Sequence, residues 1–245
     1  MRAVVRLVLA LAAGAAVALF AERLGVRRAL AALFGGVVAI TPGLFLLFVP
    51  RAAHRAFERG EVGRAAFFYR VLAAFVLERR TRGAIRISLA ACRLADERWE
   101  QALAALGAVD PADLDVAGRS TWHNNRAYAL ARAGRVDAAA LEQVDEAIRL
   151  RPDVAGFRHT RGLVLLGLGR VDEAIRELEG VWSELGDDAA PLLEAERCYD
   201  LGTAWQRKGE RDYGRDYLGR AVRLAPQGHW IGKRAAAALA SSPPP

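Results

Sequence analysis

Lysine is scarce: Lys208 and Lys233 stand alone among 35 basic residues, and arginine takes the other places. Because arginine fills ordinary surface positions, this is a bias of usage and not a sign of guanidinium chemistry. The chain has two cysteines, Cys92 and Cys198. They are far apart in sequence, which excludes a disulfide framework and a cysteine-based zinc site. The histidines are His54, His123, His159 and His229, and no two share a helix at metal-ligand spacing. Clusters of β-branched and aromatic residues between turns are missing, so an all-α chain is the economical reading. The stretch Gly162–Gly169 is glycine-rich but lacks a Lys-Ser/Thr ending and a preceding strand, and so is no phosphate loop. No convergent set of polar groups suggests an active site, and no cofactor, metal or catalytic residue is expected.

What is present begins with two apolar runs. Leu7–Ala21 follows a short basic start, Met1–Arg6. Alone it could be a signal peptide ending near Ala16-Val17-Ala18. A second run, Ala29–Val49, is long enough for the hydrocarbon core of a bilayer, roughly 20 residues. The link Glu22–Arg28 is short enough to force an antiparallel hairpin. Adding Ala3–Val5, with Arg6 reaching to the interface, lengthens the first span. Residues 1–50 are therefore predicted to be a two-helix transmembrane hairpin. Its flanks hold Arg2 and Arg6, then Arg51, Arg55, Arg59, Arg64 and Arg70, against Arg23, Arg27 and Arg28 in the link. This places both ends in the cytoplasm of a bacterial inner membrane.

Charge is uneven. Residues 1–100 carry 16 basic against 7 acidic side chains, and residues 101–245 carry 19 against 21. The high isoelectric point thus gives no reason to expect nucleic acid binding by the second part. The basic stretch 51–98 follows directly on an apolar run, which favours anionic lipid as its partner.

Three echoes organise the rest: Gly134-Arg-Val-Asp137, Gly169-Arg-Val-Asp172 and Gly209-Glu-Arg-Asp212. Each lies between two stretches that read as helix. A glycine can end the first helix in the left-handed conformation, and the aspartate can cap the second. The spacing of 35 and then 40 residues marks a stacked repeat of helix–turn–helix units. Small residues stand seven before each glycine (Ala127, Gly162, Gly202) and five after it (Ala139, Ala174, Gly214), where paired helices approach closely. Ala147, Val181 and Ala221 follow, and Pro152 and Pro226 close two of the units.

Over 120–226 this pattern resembles the tetratricopeptide repeat (TPR), whose 34-residue unit has small residues at these places and a closing proline. Three departures stand out: Ala138-Ala139-Ala140 carries one residue too many, and the third unit follows a longer connection, Trp182–Pro191, and has Gly214 where alanine is usual. Residues 51–111 read as two degenerate units, with Gly60 and Ala65 repeating the turn spacing and Ala53 seven before the turn. Asp110–Gly118 reads as a loop, Gln227–Ala240 as a capping helix with Lys233 and Arg234 outward, and Ser241–Pro245 as a frayed tail. The fold expected is an all-α, TPR-like α-solenoid preceded by two transmembrane helices.

The resemblance implies a concave groove lined by the first helices and suited to an extended peptide or a partner helix. The matching positions are Thr121, Asn124, Asn125, Tyr128 and Arg132; then Gly156, His159, Thr160, Leu163 and Leu166; then Glu196, Tyr199, Asp200, Thr203, Gln206 and Arg207. A carboxylate clamp of the chaperone-adaptor kind is not expected. Asn125-Arg126 fits its middle unit, but Ile87, Ala91, Gly156 and Thr160 stand where cations and an amide would be needed. The function implied is a membrane-anchored scaffold that binds a protein partner. One alternative is an envelope-side assembly or secretion factor with the same repeats. Another is a metal-dependent regulator or enzyme in which His123 and His159, on first helices of successive units, approach one another.

Overall fold

A computed structural model describes the backbone of residues 2–185 and 191–241. The chain forms α1 (Arg2–Arg23), α2 (Arg28–Glu58), α3 (Val62–Phe75), α4 (Arg79–Ala95), α5 (Trp99–Gly107), α6 (Val116–Arg132), α7 (Ala138–Leu150), α8 (Ala155–Gly167), α9 (Val171–Leu185), α10 (Pro191–Lys208), α11 (Arg211–Leu224) and α12 (Trp230–Ser241). No strand occurs among the described residues. The chain divides into two compact units, Met1–Leu77 and Glu78–Pro245, so the division falls inside the 51–111 stretch.

In the first unit α1 and α2 form an antiparallel hairpin turned at Gly25. Its seam is made of small residues. A methyl at Gly14 would strike the carbonyl oxygen of Gly35 and the side chain of Ala39, and one at Gly35 would strike Gly14 and Ala18. Ala31 is fully buried beside them, whereas Leu9, Leu19, Phe20, Leu33, Phe34, Val37 and Ile40 point outward.

The second helix runs unbroken through Pro42 and Pro50 to Glu58, nine residues past the expected end of its apolar run. Beside the proline, the Thr41 hydroxyl donates to the Val37 carbonyl at 2.7 Å. Among the described residues one helix is long and apolar enough to cross a membrane, Leu30–Glu58, where the sequence suggested two. The first span reached full length only by including Ala3–Val5 and Arg6, whose side chains lie outside the described set. The rest of α1 is rich in alanine and has one glycine, Gly14.

The second unit is a row of helix pairs: α4 with α5, α6 with α7, α8 with α9, and α10 with α11, closed by α12. First helices neighbour one another along the row, α4 on α6, α6 on α8, α8 on α10 and α10 on α12. The turn glycines have φ of 69° at Gly134, 77° at Gly169 and 93° at Gly209. Each turn is closed by two backbone bonds, such as Gly134 N–H to Ala131 O and Arg135 N–H to Leu130 O. This pairing satisfies carbonyls left over at a helix end. The same two bonds close the turns at Gly60 and at Glu97, which adopts φ of 58° without being glycine.

Close approach follows the small residues. A methyl on Gly162 would come within 2.7 Å of the Leu178 side chain, and one on Gly202 within 2.7 Å of Leu218. In the first clear unit Ala140, not Ala139, takes the buried place. The extra residue lies in the turn, so α7 starts four residues after its glycine and α9 and α11 start two after theirs. The same shift sorts the aspartates. Asp137 caps α7 by accepting from Ala140 N–H at 2.9 Å. By contrast Asp172 and Asp212 fall inside the first turns of α9 and α11, and α11 is preceded by Glu210 with no side-chain cap.

Two further boundaries move. Residues 182–185 belong to α9 and Pro191 is the first residue of α10, while Asp187-Asp188 lies outside the described residues. The Asp110–Gly118 loop contains a short 3₁₀ turn, Pro111–Asp113, and hands over to α6 at Asp115. The Asp115 carboxylate accepts from Gly118 N–H at 2.8 Å. That bond, and the Arg80 guanidinium beside it, hold its pKa below the usual carboxylate value.

Candidate functional site

The first-helix face is where the resemblance implies binding, and its middle is filled from within. Arg132, at the last turn of α6, reaches past α8 to α10. Its Nη1 donates to Asp200 Oδ1 at 2.8 Å and its Nη2 to Asp200 Oδ2 at 2.7 Å, with a further bond from Nη2 to Glu196 Oε1. The Tyr128 hydroxyl, one turn earlier, donates to the same Glu196 oxygen. From α8, His159 Nε2 lies 3.0 Å from Asp200 Oδ2. Glu196 and Asp200 are four residues apart on one helix, so both carboxylates face the same way.

Aromatic rings cover this polar centre. The Arg132 guanidinium sits 5.2 Å from the ring centroids of both Tyr128 and Trp230. Trp99, the first residue of α5, meets Tyr128 edge-on at 6.0 Å and Trp230 at 6.1 Å. Tyr199 meets Trp230 at 6.1 Å. On the rim Arg234 of α12 donates to Glu97, the residue with the left-handed turn conformation, at 2.6 Å. The capping helix therefore folds back onto the turn between α4 and α5, 137 residues earlier. Its Arg234, expected to point outward, is tied at the tip.

The electrostatics are those of a closed network. Burial opposes the charge on Arg132, but Asp200, Tyr128 and Glu196 outweigh it and hold its pKa well above the ordinary value. Burial would raise the Asp200 carboxyl; Arg132 and His159 more than offset this and leave it lowered. Burial, reinforced by Glu196, pushes the Tyr128 phenol well up. An ion pair so desolvated is held by its geometry, and its value lies in fixing one arrangement of the helices more than in net stability.

The other sequence-predicted residues separate. Asn125, His159, Thr160 and Leu163 are buried. The hydroxyl of Thr160 donates to Gly156 O and that of Thr203 to Tyr199 O, each within its own helix. Gln206 packs into the space that Gly214 leaves open. Arg207 donates to the Leu166 carbonyl at 2.9 Å, at the C-terminal end of α8 where a cation is favoured. Asn124, Tyr199 and Thr203 stay half-exposed, and Arg207 is exposed. His123 and His159 serve different partners: His123 Nδ1 lies 2.8 Å from Gln143 Oε1, and His159 is on Asp200. No group of three metal-ligating side chains is found among the described residues.

Trp99, Trp230 and Glu97 are the members that sequence reasoning missed. None falls on a groove position of a repeat: Trp99 opens a second helix, Trp230 opens the cap, and Glu97 sits in a turn. The acidic pair at Glu196 and Asp200, opposite a lone arginine at an equivalent groove position, was the available signal for the ionic part.

Geometry and helix order together define the class, an all-helical TPR-like solenoid. In the same class is TTC0263, described as a thermophilic TPR protein of Thermus thermophilus; it is 21% identical, with 79% of this chain covering 98% of that one at a TM-score of 0.55. YrrB, described as a TPR protein with an unusual peptide-binding site, is 17% identical over 77% of this chain and 90% of its own, at 0.45. MamA is 17% identical over 83% of this chain and 100% of its own, at 0.46. At these identities the likeness is one of fold. No protein-family model matches the sequence, and comparison with curated proteins gives no match.

Proposed function

We propose that this chain is a non-enzymatic, membrane-anchored TPR-like scaffold that holds a protein partner at the inner face of a bacterial cytoplasmic membrane. The observation that carries the anchor is the inverted hairpin: Gly14, Ala31 and Gly35 in the seam, with leucines, phenylalanines and Ile40 outside. Without a hydrophobic force between helices in lipid, close packing of small residues is what joins them. Under this reading α1 spans beside α2, and the arginines after residue 50 keep the repeats on the cytoplasmic side.

The partner meets the part of the first-helix face that the central network leaves open, at Asn124, Tyr199, Thr203 and Arg207. Buried Arg132, Asp200 and His159 set the curvature of that face instead of touching the partner. Anchoring confines the partner to two dimensions and raises its effective concentration.

Two measurements test this. A phosphatase reporter that is active only outside the cytoplasm, fused after Ala240, should stay inactive in cells that retain the chain in the membrane pellet after alkaline wash. Activity would reverse the sidedness and favour an envelope-side factor, and release by the wash would remove the anchor. Crosslinking in native membranes followed by mass spectrometry should recover one protein with the native chain and lose it with Tyr199→Ala/Arg207→Glu. Unchanged recovery would place the partner elsewhere.

A further inference from the structure

The exposed side of α3 has the chemistry of a bilayer boundary, and its position relative to α2 says at what depth. After the turn at Gly60, α3 runs back along α2 with Ala65 and Leu72 buried. At its far end Phe75 packs edge-on against Phe45 with ring centroids 5.2 Å apart. Phe45 lies within the apolar run of α2. Whatever depth Phe45 takes in a membrane, Phe75 therefore shares it to within about the width of a ring. Yet Phe75 is 69% exposed, Phe67 59% and Leu77 82%.

Charge completes the pattern. No acidic residue occurs from Val62 to Leu77, and the exposed side of α3 also carries Arg64 and Arg70. Arg64 pairs with Glu61 at 2.9 Å and stands 5.9 Å from the Phe68 centroid, and Arg70 donates to Ala66 O. Before Gly60, Arg51 and Arg55 lie in the last turns of α2 and Arg59 follows it. Phe75 and Leu77 at the far end and Arg64 near the start, with no carboxylate of its own, suit a helix that crosses from anionic headgroups into acyl chains.

We propose that α3 is an interfacial membrane helix that crosses the headgroup–acyl boundary of the leaflet that α2 leaves, with Phe75 and Leu77 on its acyl side and Arg64 toward the headgroups. The occupant of this face is anionic lipid. The inference rests on the reading of α2 as a membrane span, and the test separates the two.

Full-length chains carrying Ile40→Cys, Phe75→Cys or Tyr213→Cys would be labelled with an environment-sensitive fluorophore. They would be reconstituted into vesicles of equimolar phosphatidylcholine and phosphatidylglycerol. The native chain serves as the labelling blank, since Cys92 and Cys198 are buried. A spin label near the top of the acyl chain should remove about half the emission at position 75, a label deep in the chain should do so at position 40, and neither should affect position 213. Quenching at 40 with none at 75 would overturn the interfacial helix and leave the anchor standing, whether 75 then proves open to aqueous iodide or shielded by protein. No quenching at 40 would overturn the span and the inference together.

Discussion

Arg132 and Asp200 are joined by two parallel bonds of 2.8 and 2.7 Å across a separation of 68 residues, from α6 to α10 with α8 between them in the chain. A row of helix pairs held only by nearest neighbours would leave those residues apart. The fork converts a row into a curl, because a guanidinium and a carboxylate match in one plane and one distance. It also explains why this face is narrower than the resemblance implied: its central side chains are spent on each other.

Removing one partner of that pair should be costly, because the other stays buried and charged. Arg132→Met is expected to destabilise the chain by about 3–5 kcal/mol. Arg132→Met/Asp200→Leu should recover part of that loss, because the buried Asp200 charge goes with its partner while His159 and Glu196 each still lose a bond. Thermal unfolding followed by circular dichroism in detergent reads both; a double variant as unstable as the single would show that the ion pair itself stabilises the fold.

Acid should weaken the same link. The Asp200 carboxyl is lowered in the folded chain, so its contribution is fully present above the ordinary carboxylate pKa. It is lost as pH falls from that value through the folded one. Stability of the native chain should therefore decline below about pH 4. Asp200→Asn should be less stable at neutral pH and decline less steeply over that window. Parallel declines in the two proteins would assign the acid response to other carboxylates.

The cap helix is held by two contacts of different worth. Trp230 packs among Trp99, Tyr199 and Arg132, and Trp230→Ala should cost about 3 kcal/mol. The Arg234–Glu97 pair is half open to water, and Glu97→Ala should cost less than about 1 kcal/mol. Urea unfolding curves of the two variants decide the order. Equal losses would mean that the rim, not the rings, holds α12.

The repeats were legible in the sequence because their markers obey local rules. Gly134, Gly169 and Gly209 end helices, small residues seven before and five after sit at close crossings, and Pro152 and Pro226 follow the helix ends. Where one residue was added, at Ala138–Ala140, the spacing alone could not say whether helix or turn absorbed it. The turn did, since bulging a helix there would remove Ala140 from its contact and uncap it from Asp137. The turn at Glu97 lacks glycine, so the period of the helices on either side was its only mark. The closing of the groove was hidden for another reason. It depends on how far the row curls, which is a sum over pairs and is written at no single position. Trp99 and Trp230 meet only once that sum is made.

The glycines of the helix crossings give a prediction of opposite signs within one pair of helices. A methyl at Gly202 meets Leu218 Cγ at 2.7 Å and the Gly214 carbonyl oxygen at 3.0 Å, the second of which is backbone and cannot swing away. Gly202→Ala should therefore cost about 1–3 kcal/mol through overpacking. At Gly219, inside α11, the nearest atom is the tip of the Arg223 side chain at 3.4 Å, which can move. Gly219→Ala should stabilise by roughly 0.5–1 kcal/mol, the usual gain for replacing a helical glycine. Melting temperatures of the two variants should move in opposite directions; a loss at Gly219 as large as at Gly202 would mean that the crossing of α10 and α11 tolerates no added volume anywhere along α11.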